Sequence, residues 1–491
     1  MKCLLIIPAW NENDLFPDRL ATSVRHLWQP LGILYVGAQL IKAGHEVRFI
    51  DGALHTHQQI IDVFRTFAPG FVGVYSNTPI WNIARRTISE IKALDPDVFI
   101  SLGGPTAIGW RDRCLRECPQ LDCVHTGEGE VSAPAVVAQR EACKPLDSVP
   151  GIIFRDPAGR IVINPDNPPI ADLDGIHFPA RELLEDVSKY RPIIGSFRKQ
   201  PVFTIFTSRG CTHRCIFCFQ PDKKRGVRFR SPNNVVDEME DSIVNFGARE
   251  FKVLDDLFTV NHKRVYEICA EIKRRRLNFP WFVSGRVDTV NRRLLAAMRE
   301  AGCYGILFGV ESGVQKNLDT LRKGQTLAQI RQAVRDAKAV GMKINTPFIF
   351  GIPGETYEDG LETLKFALEL NADIANFHTL APFPGTELYE HIDRYGSISD
   401  RVEDYTFESA GFVPYTMTRD EVLRLKQTAF KKFYSRPSYM IRQLLRVRSA
   451  YELLALWKGG QSLLSIYLDP NVFTKHIKLK ERFNGSAVPQ R

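Results

Sequence analysis

Short apolar runs alternate with helix-length segments through most of this chain, in two blocks separated by a Pro- and Asp-rich stretch. This alternation restricts the fold most. A strand followed by a helical crossover returns parallel to its predecessor, and a parallel sheet needs helices to cover it. In the first block, Cys3 to Pro8, Val47 to Ile50, Phe71 to Tyr75, Val98 to Leu102 and Asp122 to His125 read as strands, with Leu31 to Ala43 and Trp81 to Leu94 as helices. In the second, six runs read as strands, each followed by a helical length: Val202 to Thr207, Glu250 to Leu254, Trp281 to Val287, Gly305 to Val310, Ile344 to Phe350 and Ile374 to Leu380. Val265, Ile268, Cys269 and Ile272 lie on one helical face, so Cys269 is expected in the core, as is Cys303.

These patterns predict an α/β chain in four parts. Residues 1–144 form a doubly wound, flavodoxin-like parallel sheet, and residues 145–200 a linker. Its clearest turn cluster is Asn164-Pro165-Asp166-Asn167-Pro168-Pro169, with room for a small hairpin around Gly151 to Val162. Residues 201–390 form a partial (β/α)6 barrel of TIM type. Residues 391–491 form a mostly helical region, in which Arg419 to Lys432 and Pro437 to Trp457 are amphipathic and expected to pack on the barrel and close its active site.

With 491 residues, 44% of them hydrophobic, the chain has material for two or three cores. Met1 to Pro8 runs directly into a strand, which predicts no signal peptide, and no apolar run reaches the ~18 residues of a membrane span. The expected compartment is the cytoplasm, where the ten cysteines stay reduced. The net charge of +9 belongs entirely to the tail, since Arg419 to Arg491 holds 15 Lys and Arg against 5 Asp and Glu. A solvated helical face is the ordinary reading of such a tail; peripheral contact with an anionic membrane is the other one retained.

Barrel enzymes carry their chemistry at the carboxyl ends of the strands. The first strand here leads into Ser208-Arg209-Gly210-Cys211-Thr212-His213-Arg214-Cys215-Ile216-Phe217-Cys218. Thiolates spaced four and three residues apart on one loop can hold three irons of a [4Fe-4S] cluster and leave the fourth open to a small molecule, with Phe217 packed alongside. Zinc fits less well, because His213 is the only close histidine and no second Cys-x-x-Cys pair follows. The other strands end in Asp255-Asp256, Arg286 with Asp288, Gly309-Val310-Glu311-Ser312, Gly351-Ile352-Pro353-Gly354-Glu355 and Pro382-Phe383-Pro384-Gly385-Thr386.

The cysteine loop and these strand ends resemble the radical S-adenosylmethionine (SAM) superfamily over residues 202 to 390. The resemblance implies that SAM chelates the open iron, that Asp255 or Asp256 holds its ammonium, that Glu311 and Ser312 meet the amine or ribose, that Arg286 neutralises the carboxylate, and that the backbone near Ile352 packs on adenine. Helix capping by the Asp pair and a structural Arg286–Asp288 ion pair are the competing readings.

In the first block, Gln29-Pro30-Leu31-Gly32, Ser76-Asn77-Thr78, Gly103-Gly104-Pro105 and Gly127-Glu128-Gly129-Glu130 fall at strand ends, where open α/β sheets bind ligands. Three of these turns, the one before Gly32 and the two glycine turns, resemble the cobalamin-binding domain joined to one class of radical SAM enzyme. Gln29, Leu31, Ser76, Thr78, Gly103, Gly104, Gly127 and Glu128 are the corrinoid contacts this implies. The Asp-x-His-x-x-Gly motif of many such domains is absent, so no histidine is expected on cobalt, and His55, His57 and His125 are expected at the surface or in loops.

The implied activity is methyl transfer to an unactivated carbon through a 5′-deoxyadenosyl radical and methylcobalamin. The substrate would be a small molecule, lipid- or porphyrin-like among the classes allowed, and the reductant a flavodoxin or ferredoxin. A radical cyclase or oxidative rearrangement is the alternative. A tRNA methylthiotransferase would need a second cysteine triplet that Cys3, Cys114, Cys118, Cys123 and Cys143 do not supply, and a non-catalytic cobalamin or SAM sensor would not need the open cluster. No nucleic-acid partner is therefore expected.

Overall fold

The computed structural model describes residues 1–10, 27–192, 196–220, 226–445, 447, 453, 457, 460 and 461. Its first sheet runs in the order β2-β1-β3-β4-β5-β6-β7. The first five strands are parallel: β1 Lys2–Ile7, β2 Glu46–Asp51, β3 Phe71–Tyr75, β4 Phe99–Gly103 and β5 Cys123–His125. Alternate residues feed two cores, one on each face. Leu4, Ile6, Val72, Val74, Ile100 and Leu102 pack on one side, and Leu5, Ile7, Phe71, Phe99 and Cys123 on the other, which is the doubly wound arrangement.

The hairpin near Gly151 is present as β6 Ile152–Arg155 and β7 Ile161–Ile163, and it belongs to this sheet rather than to a free connector. Antiparallel pairing of Cys123 with Phe154 and of Val124 with Ile153 gives the β5 edge a partner. His125, expected at the surface, is buried at the end of β5. Its Nδ1 lies 2.7 Å from Ser132 Oγ, and burial alone pushes its pKa down to about 4.

The second sheet carries all six expected strands: β8 Val202–Ile205, then, after the two-residue ribbon strands β9 Ser208–Arg209 and β10 Arg228–Phe229, β11 Glu250–Val253, β12 Trp281–Gly285, β13 Cys303–Phe308, β14 Lys343–Phe350 and β15 Ile374–Thr379. They are parallel in the order β15-β14-β13-β12-β11-β8, so the two end strands do not pair with each other and the barrel is partial. Outward residues such as Phe251, Val253, Trp281, Val283, Ile306, Phe308, Phe348 and Phe377 are buried under the helices, together with Cys269 and Cys303. Inward residues Lys252, Leu254, Ser284, Leu307, Asn345, Asn376 and His378 are only half-buried. Below them Glu250 and Tyr304 close the floor, with Tyr304 Oη donating to Glu250 Oε1 at 2.7 Å.

The Arg419–Tyr434 helix packs Val422, Leu425, Ala429 and Phe433 into that same outward core. Gly360 makes room for Leu425, since a Cβ there would lie 2.9 Å from Leu425 Cδ2. This helix therefore covers the outer face near β15 and does not close the mouth, as its amphipathic pattern had suggested. The next helix spans Pro437–Leu445 with no buried residue, and the rest of the expected Pro437 to Trp457 helix lies largely outside the described residues.

A buried charge cluster joins the parts. Arg181 donates to Glu238 Oε1 at 2.7 Å, to Thr204 O at 2.8 Å and to Gln29 Oε1 at 2.7 Å, while Arg230 pairs with the other Glu238 oxygen. The Arg181 and Glu238 side chains are each 1% exposed. Removing one member leaves buried charge uncompensated, so Glu238→Ala should lower the unfolding free energy by about 3–5 kcal/mol in a urea titration of the full chain.

Candidate active site

The mouth of the half-barrel collects the strand ends named above. Cys211, Cys215 and Cys218 follow β8 and β9, and desolvation raises the pKa of Cys211 and, to about 12, that of Cys218; neighbouring thiols of the loop add to both shifts. Among the described residues no three side chains are drawn together as a ligating group. Phe217 packs against an apolar cluster that includes Ile216, Leu321, Ile349, Ile352 and Leu380. Lys323 Nζ lies 5.9 Å above the Phe217 ring and pairs with Glu311 Oε1 at 2.6 Å.

Glu311 holds φ +66°, unusual for a residue with a side chain, and a parallel bridge to Phe348 keeps it there. A Cβ on Gly309 would lie 2.6 Å from Glu311 Oε1 and 2.8 Å from Lys323 Nζ, so a side chain there would displace the ends of that ion pair. Arg286 forks onto Asp288 at 2.9 and 2.8 Å and reaches Lys323 O at 2.7 Å, so its ion pair is internal. Ser312 has no exposed surface; its Oγ lies 3.0 Å from Thr363 Oγ1 and accepts from Asn317 at 3.2 Å. The Ile352 backbone sits in a loop that Glu355 closes by accepting from Gly351 N at 2.7 Å and Ile352 N at 3.2 Å.

The two aspartates separate. Asp255 is buried and accepts from Thr207 N at 2.6 Å and from the Thr207 and Ser208 hydroxyls, so it fixes the end of β8. Asp256 faces the opening beside Gln220 and the Gly210 N–H. Desolvation pushes its pKa up, and Asp255 adds to the shift.

The carboxyl edge of the first sheet meets this mouth. Gly109 abuts the loop after β15, a Cβ there lying 2.6 Å from Pro384 O, and one on Gly385 would lie 3.0 Å from Phe219 and 3.2 Å from Gly109 Cα. Asn82 donates to Glu403 at 2.6 Å and Arg113 to Tyr389 at 3.3 Å on the same flank. On the opposite flank Arg209, two residues before Cys211, pairs with Glu128 and Glu130.

Of the first-block residues, Gly103 keeps open space: a Cβ there would meet nothing within 4 Å, and one on Gly127 only Asn167 at 3.8 Å. Gly104, with φ +93°, makes the tight turn against Ser76 O. Ser76, Thr78, Leu31 and Gln29 are buried. Ser76 Oγ donates to Asn77 O at 3.0 Å, Leu31 opens its helix, and Gln29 holds Arg181. Sequence reasoning missed Arg209, Arg228, Glu130 and Lys323. Arg209 and Glu130 had a signal, the one beside the cysteines and the other in the Gly127-Glu128-Gly129-Glu130 turn.

The open edge at Gly103 and the cysteine loop thus stand at the carboxyl ends of two parallel sheets whose edges meet. The radical SAM superfamily model matches residues 205–367, and the B12 binding domain model matches residues 18–137. An uncharacterized methyltransferase of Pyrococcus horikoshii is 31% identical over 449 residues, covering 90% of this chain and 95% of that one. The anaerobic magnesium-protoporphyrin IX monomethyl ester cyclase of Rubrivivax gelatinosus is 31% identical, covering 90% and 78%. The solved structure of the radical SAM methyltransferase TsrM from Kitasatospora setae, with cobalamin and a [4Fe-4S] cluster bound, shares the fold at TM-score 0.68 and 18% identity over 98% of this chain and 99% of that one. The chain belongs to the cobalamin-binding radical SAM enzymes.

The residues present fit that cofactor set. Cys211, Cys215 and Cys218 supply the three thiols a cluster would take at the barrel mouth, and the backbone at Gly103 is open to the approach of a corrinoid. No helix among the described residues is long and apolar enough to cross a membrane.

Proposed function

We propose that this protein is a cobalamin-dependent radical SAM methyltransferase that adds a methyl group to an unactivated carbon of a small molecule. The observation that carries the reading is the meeting of the two carboxyl edges, fastened by Gly109–Pro384 on one flank and Glu128–Arg209 on the other. When bound, the cluster and SAM supply radical chemistry and the corrinoid carries the methyl group. The chain's part is positioning. Asp256 faces the SAM site with an exposed carboxylate, Glu311 and Lys323 form a fixed ion pair beside Phe217, and the half-buried inward residues line the substrate cavity. Arg286 and Ser312 act through the loops they tie together, and Ile352 as an apolar wall. The chain divides into a corrinoid domain that the β6–β7 hairpin extends past residue 144, a connector to about residue 200, a barrel to about residue 390 and the region after it. The substrate class is lipid- or porphyrin-like, the reductant a flavodoxin or ferredoxin, and the compartment the cytoplasm. The exposed Met440, Ile441, Leu444 and Leu445 offer a face for a membrane surface.

A strain lacking the gene should accumulate an unmethylated precursor. Supplied anaerobically with that precursor, reductant and deuteromethyl SAM, the holoenzyme should release labelled product, 5′-deoxyadenosine and S-adenosylhomocysteine, with two SAM consumed per product. An unlabelled, cyclised or oxidised product formed with 5′-deoxyadenosine alone would replace this reading with the cyclase, the activity named for the Rubrivivax relative.

A further inference from the structure

The stretch that holds the three cysteines leaves the barrel through a narrow neck. Arg209 pairs with Arg228, and Ser208 with Phe229, in the β9–β10 ribbon. Gly210, with φ +94°, sits against Gly226 so closely that a Cβ would run into Gly226 O. Both arginines of the neck point to the first sheet. Arg209 donates to Glu128 Oε1 at 2.8 Å and Glu130 Oε1 at 2.6 Å, and its guanidinium lies 5.4 Å from the centroid of the Tyr35 ring. Arg228 donates to Glu128 Oε2 at 3.0 Å and to Ile170 O at 2.6 Å, and Ile170 N donates to the same Glu128 oxygen at 2.6 Å. All four charged side chains are 20% exposed or less, so water screens the pairs weakly. The fork of Arg209 across two carboxylates fixes its direction as well as its place.

We infer that Glu128 and Glu130 are positioning residues for the cysteine loop, through which the cobalamin-binding domain sets the geometry of the cluster site. The inference rests on the reading of Cys211, Cys215 and Cys218 as cluster ligands. Glu128 was expected to touch the corrinoid; its carboxylate is instead occupied by both arginines of the neck and by Ile170. Because Glu128 caps and Glu130 opens the helix Gly129–Glu141 that follows β5, at the carboxyl edge that also carries Gly103, the first domain is part of the cluster's scaffold. A neck freed from it should let the thiolates part from iron more readily.

The test uses the full chain, reconstituted anaerobically with iron and sulfide and supplied with hydroxocobalamin, and follows ferrous iron released to a chelator alongside the cluster's paramagnetic resonance spectrum. The double variant Glu128→Gln with Glu130→Gln should release iron about tenfold faster than wild type and show altered g-values on adding SAM. Glu128→Asp with Glu130→Asp should recover part of the difference. Asn82→Ala, which loosens the first domain from the segment that follows the barrel, away from the neck, should behave as wild type. Arg209→Lys keeps the charge without the fork and should fall between, and it decides the matter should the Gln variant not fold. Wild-type release and spectra in the Gln variant, or in Arg209→Lys where it decides, would overturn the inference, as would equal acceleration in Asn82→Ala. A wild-type chain that takes up no iron would instead sink the cluster reading and the inference with it.

Discussion

Anaerobically reconstituted wild-type protein is expected to carry one [4Fe-4S] cluster, and the variant in which Cys211, Cys215 and Cys218 are all alanine is expected to carry none and to cleave no SAM. The effect should be complete because the seven other cysteines offer no substitute: Cys3, Cys114, Cys118, Cys123, Cys269 and Cys303 are buried, and Cys143 stands alone at the surface. Iron and sulfide analysis settles the point, and retention of a full cluster by the triple variant would remove the foundation of the proposed function.

The second large effect separates two adjacent carboxylates. Asp256→Ala should lower SAM cleavage by about a hundredfold, the loss of one charge-assisted contact to the cosubstrate, while stability changes by less than about 0.5 kcal/mol. Asp255→Asn should do the reverse in emphasis. An amide in that buried place cannot accept all three bonds from Thr207 and Ser208, so stability should drop by about 2 kcal/mol, with cleavage falling as the end of β8 loosens. Urea midpoints read beside 5′-deoxyadenosine formation distinguish the two. Equal stability losses would show that Asp256, too, is a structural acid.

The six barrel strands and five of the first sheet were legible because their apolar runs were dense and regularly spaced, and the ends of those strands located the site. What escaped the sequence was direction. Asp255 and Asp256 are neighbours, and neighbours at a strand end face opposite ways, so a one-residue uncertainty in the end of β11 exchanges their roles. Ser312 has the composition of a ligand contact, yet Thr363 and Asn317 claim it from elements 51 and 5 residues away. Arg181 and Glu238 lie 57 residues apart and Arg209 and Glu130 79 residues apart, separations at which no periodic pattern carries information. The burial of His125 escaped because nothing in the sequence joins the hairpin expected within the connector to the edge of β5.

The unequal burial of the two faces of the half-barrel bears on how such an enzyme changes over generations. Outward positions such as Phe251, Trp281, Phe308 and Phe348 hold the fold together and tolerate little, whereas Leu254, Ser284, Leu307, Asn345, Asn376 and His378 contribute little to the packed core. Substitutions at the latter reshape what the gutter accepts at small thermodynamic risk. A lineage with this scaffold can therefore explore new reactants by drift along one face of six strands while leaving its cofactor machinery untouched.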